Sequence, residues 1–179
     1  MNAVSLMHDW YPEPLPRNVD IGAGSWLYSA FAFVHFRSEL PHAVRIGQSC
    51  GVYNGSFFDL GPQGEVDMGD FSTLVGVIVA TNCAVRIGLY CFLAHEVVIA
   101  DHAWAAPRLH GVGEIPESGQ GSALIVLEDD VWVGTGAVLL AGASVGAGSV
   151  IGAGTTVDFR VPPNSIVGGN PARIIGRAG

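Results

Sequence analysis

Six histidines, at positions 8, 35, 42, 95, 102 and 110, are the side chains of this sequence best suited to move a proton near neutral pH. Three of them sit beside a carboxylate, and of these His8 is followed by Asp9. His95 lies in LAHEVV (93–98) and is followed by Glu96, whereas His102 lies in IADHAW (99–104) and follows Asp101. A histidine can serve as a general base toward a hydroxyl or an amine. The adjacent carboxylate could orient the ring, although neighbours in sequence rarely hydrogen-bond directly. His110 is a more distant candidate, and nothing singles out His35 or His42. Cys50, Cys83 and Cys91 show no CxxC spacing and are odd in number, so they read as reduced thiols and not as a disulfide framework. None is convincingly placed for a covalent intermediate. Catalytic zinc needs three protein ligands and an open position. His95 and His102 are seven apart, and residues 43–94 contain no histidine, so no metal is expected.

These side chains need a scaffold, and 179 residues suffice for one domain with a real core. The 25 glycines, with abundant Val, Ile and Ala, favour short strands and many turns over helices. A formal charge of −8 argues against a nucleic-acid partner. All eight basic residues are arginine, so a bound phosphate would be held by arginine or by backbone N–H groups. The start, MNAVSLMHDWYPEPLP, lacks the basic head and long apolar run of a secretory signal. With the reduced thiols, that predicts a cytoplasmic protein.

The stretch VGTGAVLLAGASVGAGSVIGAG (133–154) is uncharged and sits in a run long enough to cross a bilayer, but its glycines make it a poor helix. Its period is six. Leu127, Val133, Leu139, Val145, Ile151 and Val157 are evenly spaced, and four residues after each comes Val131, Ala137, Ala143, Ser149, Thr155 or Val161. Short strands joined by tight turns, three to a triangular coil, satisfy this pattern as a parallel β-solenoid. The spacing extends upstream through Ile21, Leu27 and Phe33, through Ile46, Val52 and Phe58, and through Val75, Thr81, Ile87, Leu93 and Ile99. Met68-Gly69 is one residue out of step, and Thr81 is a weak axial residue.

Interruptions fall after every third unit, so residues 34–45, 59–67 and 102–124 are predicted to leave from one edge and to stack there. Long insertions of this kind commonly carry function. The domain reading is an extended arm (1–17), a solenoid (18–158) with the inserted loop 102–124, and a tail (159–179) packing on the last coils. The arm, with Trp10-Tyr11-Pro12 and further prolines at 14 and 16, is expected to cover the open end of the first coil.

The segment LEDDVWVGTGAVLLAGASVGAGSVIGAGTTVDFRVPPNSIVGGNPARII (127–175) resembles the hexapeptide-repeat acyltransferases, in particular the galactoside, maltose and xenobiotic acetyltransferases. The VPPNSIVGGNPARII tail is the most specific part. The resemblance implies an all-β, left-handed parallel β-helix, a homotrimer, and acetyl-CoA or another acyl-CoA as co-substrate in the cleft between subunits. It implies acetyl transfer to a small hydroxyl or amine acceptor, such as a sugar or nucleotide sugar. His95 matches the active-site turn of enzymes that acylate nucleotide sugars. His102 begins the long loop, but galactoside-type enzymes place their histidine two or three positions later. Trp132, Gly134, Thr135 and Ala153 correspond to positions bordering the pantetheine arm, where small residues let backbone approach closely. The usual threonine-lysine pair is replaced by Asp158-Phe159-Arg160, so Arg160 or Arg173, the latter the better match, would meet the phosphates. Two other readings share such a fold: a γ-class carbonic anhydrase-like zinc enzyme and a non-catalytic scaffold.

Overall fold

The structure is a computed structural model and describes residues 5–101 and 124–179. Among the described residues, twenty short strands make three sheets that wrap as a left-handed parallel β-helix of about six turns. The first sheet stacks β1 (Val19–Ile21), β3 (Val44–Ile46), β6 (Glu65–Met68), β9 (Ala84–Ile87), β12 (Ile125–Leu127), β15 (Ser144–Val145) and β18 (Arg160–Val161). The second stacks β2 (Trp26–Leu27), β4 (Gly51–Val52), β7 (Thr73–Leu74), β10 (Phe92–Leu93), β13 (Trp132–Val133), β16 (Val150–Ile151) and β19 (Ser165–Gly168). The third holds β5 (Phe57–Leu60), β8 (Ile78–Thr81), β11 (Val98–Ala100), β14 (Val138–Leu140) and β17 (Thr156–Val157). β20 (Arg173–Arg177) turns back and pairs antiparallel with β19, ending the second sheet.

The six-residue period is the core. Leu127, Val133, Leu139, Val145, Ile151 and Val157 are all buried, as are Val131, Ala137, Ala143, Ser149, Thr155 and Val161 between them. The third coil departs from the expected series. Met68 is in register with Ile87, Leu74 with Leu93, and Val79 with Ile99, so Leu74 and Val79 point inward, and Val75 is only half-buried. Leu74 and Val79 are five apart because the turn between them is tightened at Gly76 (φ +62°). Thr81 is buried, but at a corner, where its hydroxyl finds a carboxylate.

Residues 8–15 pack against the first coil. On the second sheet strand N–H groups donate to the next coil, as Trp26 does to Cys50 and Tyr28 to Val52, which leaves the Leu27 carbonyl of the first coil without a preceding strand to accept from. The His8 ring pairs its Nε2 with the Leu27 carbonyl at 2.9 Å and stacks on Trp26 at 4.2 Å. Asp9 accepts from the Ser29 hydroxyl (2.7 Å) and the Ala30 N–H (2.5 Å) at the start of the 3-10 turn Ala30–Phe33. Leu15 is buried in the core. The first two corner excursions stack as expected but are shorter, because strands claim their ends. Segment 34–43 runs over 61–64, with Arg37 N–H donating to Leu60 and Glu39 N–H to Pro62. The third lies outside the described residues.

Candidate functional site

Three corners run the length of the solenoid, and the one between the second and third sheets gathers four of the eight predicted site residues. His95 occupies it on the fourth coil, Gly134 and Thr135 on the fifth, and Ala153 on the sixth. They are stacked by the backbone: the Gly136 N–H donates to the His95 carbonyl (3.0 Å), and the Gly154 N–H to the Thr135 carbonyl (2.9 Å). Left-handed backbone makes these turns. Gly136 and Gly154 supply it on their coils, and a Cβ added at either would meet nothing within 4 Å. On the C-terminal side of the histidine, the corner is therefore lined by small residues and open space. Gly134 is different: a Cβ there would come within 2.7 Å of the Ala153 backbone nitrogen, so the two coils require glycine to approach this closely.

His95 is exposed, and among the described residues its ring has no hydrogen-bond partner. Glu96 beside it holds φ +60°, where other coils of this corner use glycine, and its carboxylate makes no hydrogen bond to the imidazole. An L-residue in that region costs on the order of 1 kcal/mol. The strained backbone turns His95 outward at the edge. Trp132 stands just off the corner on β13, half-exposed on the outer face of the second sheet beside Phe92.

The two arginines part company. Arg160 lies on β18 in the first sheet, paired with Ser144, and is not brought to this corner. Arg173 opens β20 and lines a cleft of about 460 Å³ with Thr156, Asp158, Phe159, Asn170 and Ile174. One of its Nη atoms donates to the Ala172 carbonyl at 2.7 Å. The cleft residues Asp158, Phe159 and Asn170 were not predicted to line a cavity. The sequence signal was present in the departure from threonine-lysine at 158–159. His102 and His110 lie outside the described residues. Among those described, no three His, Cys, Asp or Glu side chains converge as a metal site would need.

The outer faces differ in chemistry. The first sheet carries a charge ladder in which Arg45 bridges Glu65 and Asp67, and Arg86 bridges the same pair. Arg86 holds the Glu65 carboxyl below its usual range; Arg45 adds to this, and the two outweigh its burial. The second sheet exposes Trp26, Tyr28, Tyr53, Phe92 and Trp132.

Residues 125–158 match the family model described as bacterial transferase hexapeptide (six repeats). Over 77 residues the chain is 39% identical to the 2,3,4,5-tetrahydropyridine-2,6-dicarboxylate N-acetyltransferase of Staphylococcus aureus strain JH9, which covers 43% of this chain and 30% of that protein. The chain thus spans under a third of the length of the curated relatives it matches. Among solved structures, it is similar to a maltose O-acetyltransferase from Clostridium difficile 630 (28% identity, 73% of this chain and 67% of that one, TM-score 0.54). It is also similar to a hexapeptide-repeat-containing acetyltransferase from Vibrio cholerae (25% identity, 84% and 78% covered, TM-score 0.57). That protein has also been solved with acetyl coenzyme A (23% identity, 89% and 71% covered, TM-score 0.50).

Proposed function

Taking as premise that the chain carries the hexapeptide repeat of bacterial transferases on the fold of the hexapeptide-repeat acetyltransferases, we propose that it is an acetyl-CoA-dependent acetyltransferase with His95 as general base. The observation that carries this reading is the single solenoid edge on which His95, Gly134, Thr135 and Ala153 are stacked. A basic nitrogen stands at one end of a strip of small residues and open backbone, as an extended thioester co-substrate requires. The His95 ring takes the proton of the acceptor's hydroxyl or amine, whose oxygen or nitrogen attacks the thioester carbonyl. The carbon–sulfur bond breaks, and the proton leaves with the thiol of CoA. Arg173, which shares its cleft with Thr156 on the strand that follows Ala153, would meet its phosphates. Arg160, on another face, is left out.

The acceptor class is a sugar or nucleotide sugar, a reading supported by the likeness to the maltose O-acetyltransferase fold. The chain acts as a homotrimer in which the aromatic face of the second sheet is covered by neighbours. A cluster of exposed aromatic side chains of this kind marks an interaction surface. Among the described residues, no helix is long and apolar enough to cross a membrane.

The test is an acceptor screen with acetyl-CoA on the wild type and His95→Ala, run beside light scattering. The expected outcome is CoA release with at least one sugar acceptor, lost in His95→Ala, from a particle of three times the 18.6 kDa chain mass. Unchanged turnover in His95→Ala would move the base to His102. A wild type without affinity for any acyl-CoA would leave the scaffold reading.

A further inference from the structure

We propose that Gly76 is a specificity-determining residue for this reaction: its shortened turn leaves a recess beside His95 through which the acceptor reaches the imidazole, with Asn54 as the far wall. The inference rests on the acetyltransferase reading above. Where the second sheet ends, the Tyr53 N–H donates to Leu74, Val75 to Leu93 and Ala94 to Val133, which aligns Tyr53, Val75 and Ala94. Where the third sheet begins, the Phe57 N–H donates to Val77 and Ile78 to Val97, which aligns Ser56, Val77 and Val97. Between these columns the second coil has Asn54-Gly55 and the fourth has His95-Glu96, but the third has Gly76 alone. Gly55 (φ +81°), Gly76 (φ +62°) and Glu96 (φ +60°) take the left-handed position in turn. The residue missing from the third coil is therefore the one in line with Asn54 and His95.

The imidazole borders this gap. A Cβ built on Gly76 would stand 3.7 Å from His95 Cδ2 and 3.5 Å from the Asn54 carbonyl oxygen, so glycine keeps the space between the two tip residues clear. The Glu96 N–H donates to the Gly76 carbonyl at 2.9 Å and ties the histidine's turn to the short one. Stacked strands lie about 4.8 Å apart, so the tips at Asn54 and His95 stand about 10 Å apart with no tip between them. Asn54 is exposed, and among the described residues its carboxamide has no hydrogen-bond partner. Such a group offers a polyol both donors and an acceptor. The acceptor has to touch the imidazole and the thioester carbonyl at once. With the co-substrate laid over Thr135 and Ala153 on the C-terminal side of His95, the recess at Gly76 is the approach from the other side.

The experiment compares the full-length wild type with Gly76→Asn and Asn54→Ala, using maltose, glycerol and ethanolamine as hydroxyl and amine probes. Asparagine accepts left-handed backbone, its Cβ would keep ordinary contact distances, and the rest of its side chain would occupy the recess. In Gly76→Asn, the acceptor KM is expected to rise about tenfold or more, with the acetyl-CoA Kd within about twofold of the wild type. Asn54→Ala, at an exposed tip, should raise the acceptor KM about three- to tenfold and leave kcat nearly unchanged. Heteronuclear NMR of the Asn54 carboxamide and the His95 ring reads the recess without turnover. A probe that is acetylated should shift both signals in the wild type, and Gly76→Asn should need about tenfold more of it. An unchanged acceptor KM in either variant, or turnover without a shift at Asn54, would overturn the recess. Should the wild type lack turnover, the transferase reading fails on its own. Probe-induced shifts at both residues, lost in Gly76→Asn, would then still support the recess as a binding site, and their absence would overturn it.

Discussion

An exposed imidazole with no hydrogen-bond partner among the described residues adds little to the stability of the solenoid, so the His95 ring can change at little cost to the fold. His95→Asn is therefore expected to fold as the wild type does, to bind acetyl-CoA equally, and to lose about 10²–10⁴-fold in kcat, the range typical of a removed general base. Steady-state kinetics with both substrates varied will show this. The position of His95 was legible in the sequence, two residues after the axial Leu93. Arg160 was not: an inward period identifies what points to the axis but leaves open which of three faces an outward residue joins. Only the pairing with Ser144 places it on the first sheet. The thiols add a further expectation. Burial pushes the Cys50 and Cys91 thiols up and encloses them, whereas Cys83 is half-exposed. Native alkylation followed by mass spectrometry should label Cys83 first, with Cys50 and Cys91 labelled only on unfolding.

Elements in this fold are two to five residues long, and none could stand alone. Their stability comes from stacking, so a cavity at one axial position is felt by the coils on either side. Leu139 is fully buried between Ile99 and Val157, and Leu139→Ala should cost about 2–5 kcal/mol, read from urea unfolding. On the first sheet, pairing with Arg86 and Arg45 keeps Glu65 ionised to lower pH than in the unfolded chain. Because the folded pKa is the depressed one, this stabilisation is present above the unfolded carboxyl range and is lost as pH falls through the folded value. Glu65→Gln should therefore lower Tm at pH 7 and flatten its acid limb, with the difference from the wild type vanishing as pH falls well below about 4.5. The fifth and sixth coils could be read residue by residue because their period is unbroken. The third coil could not. Leu74 and Val75 are both aliphatic, so composition does not choose between them; the choice is made by the tight Gly76 turn and by Asp101 capturing Thr81, a contact twenty residues away.

Across the whole molecule, one face is charged and self-paired, one is aromatic and exposed, and the edge between the second and third sheets holds the candidate site. Fold class and the repeat were readable because the core of a solenoid is local in sequence. The partition of the candidate site was not, because it depends on which corner each turn joins. The proposed function lays acetyl-CoA along the His95–Thr135–Ala153 edge. Calorimetric titration of acetyl-CoA into the wild type, His95→Ala and Ala153→Trp tests it most directly. Ala153 is exposed, so an indole there would fill the edge without disturbing the core. The predicted result is matched binding by the wild type and His95→Ala, with affinity at least tenfold weaker in Ala153→Trp. Undiminished binding by Ala153→Trp, or no heat with the wild type, would contradict it.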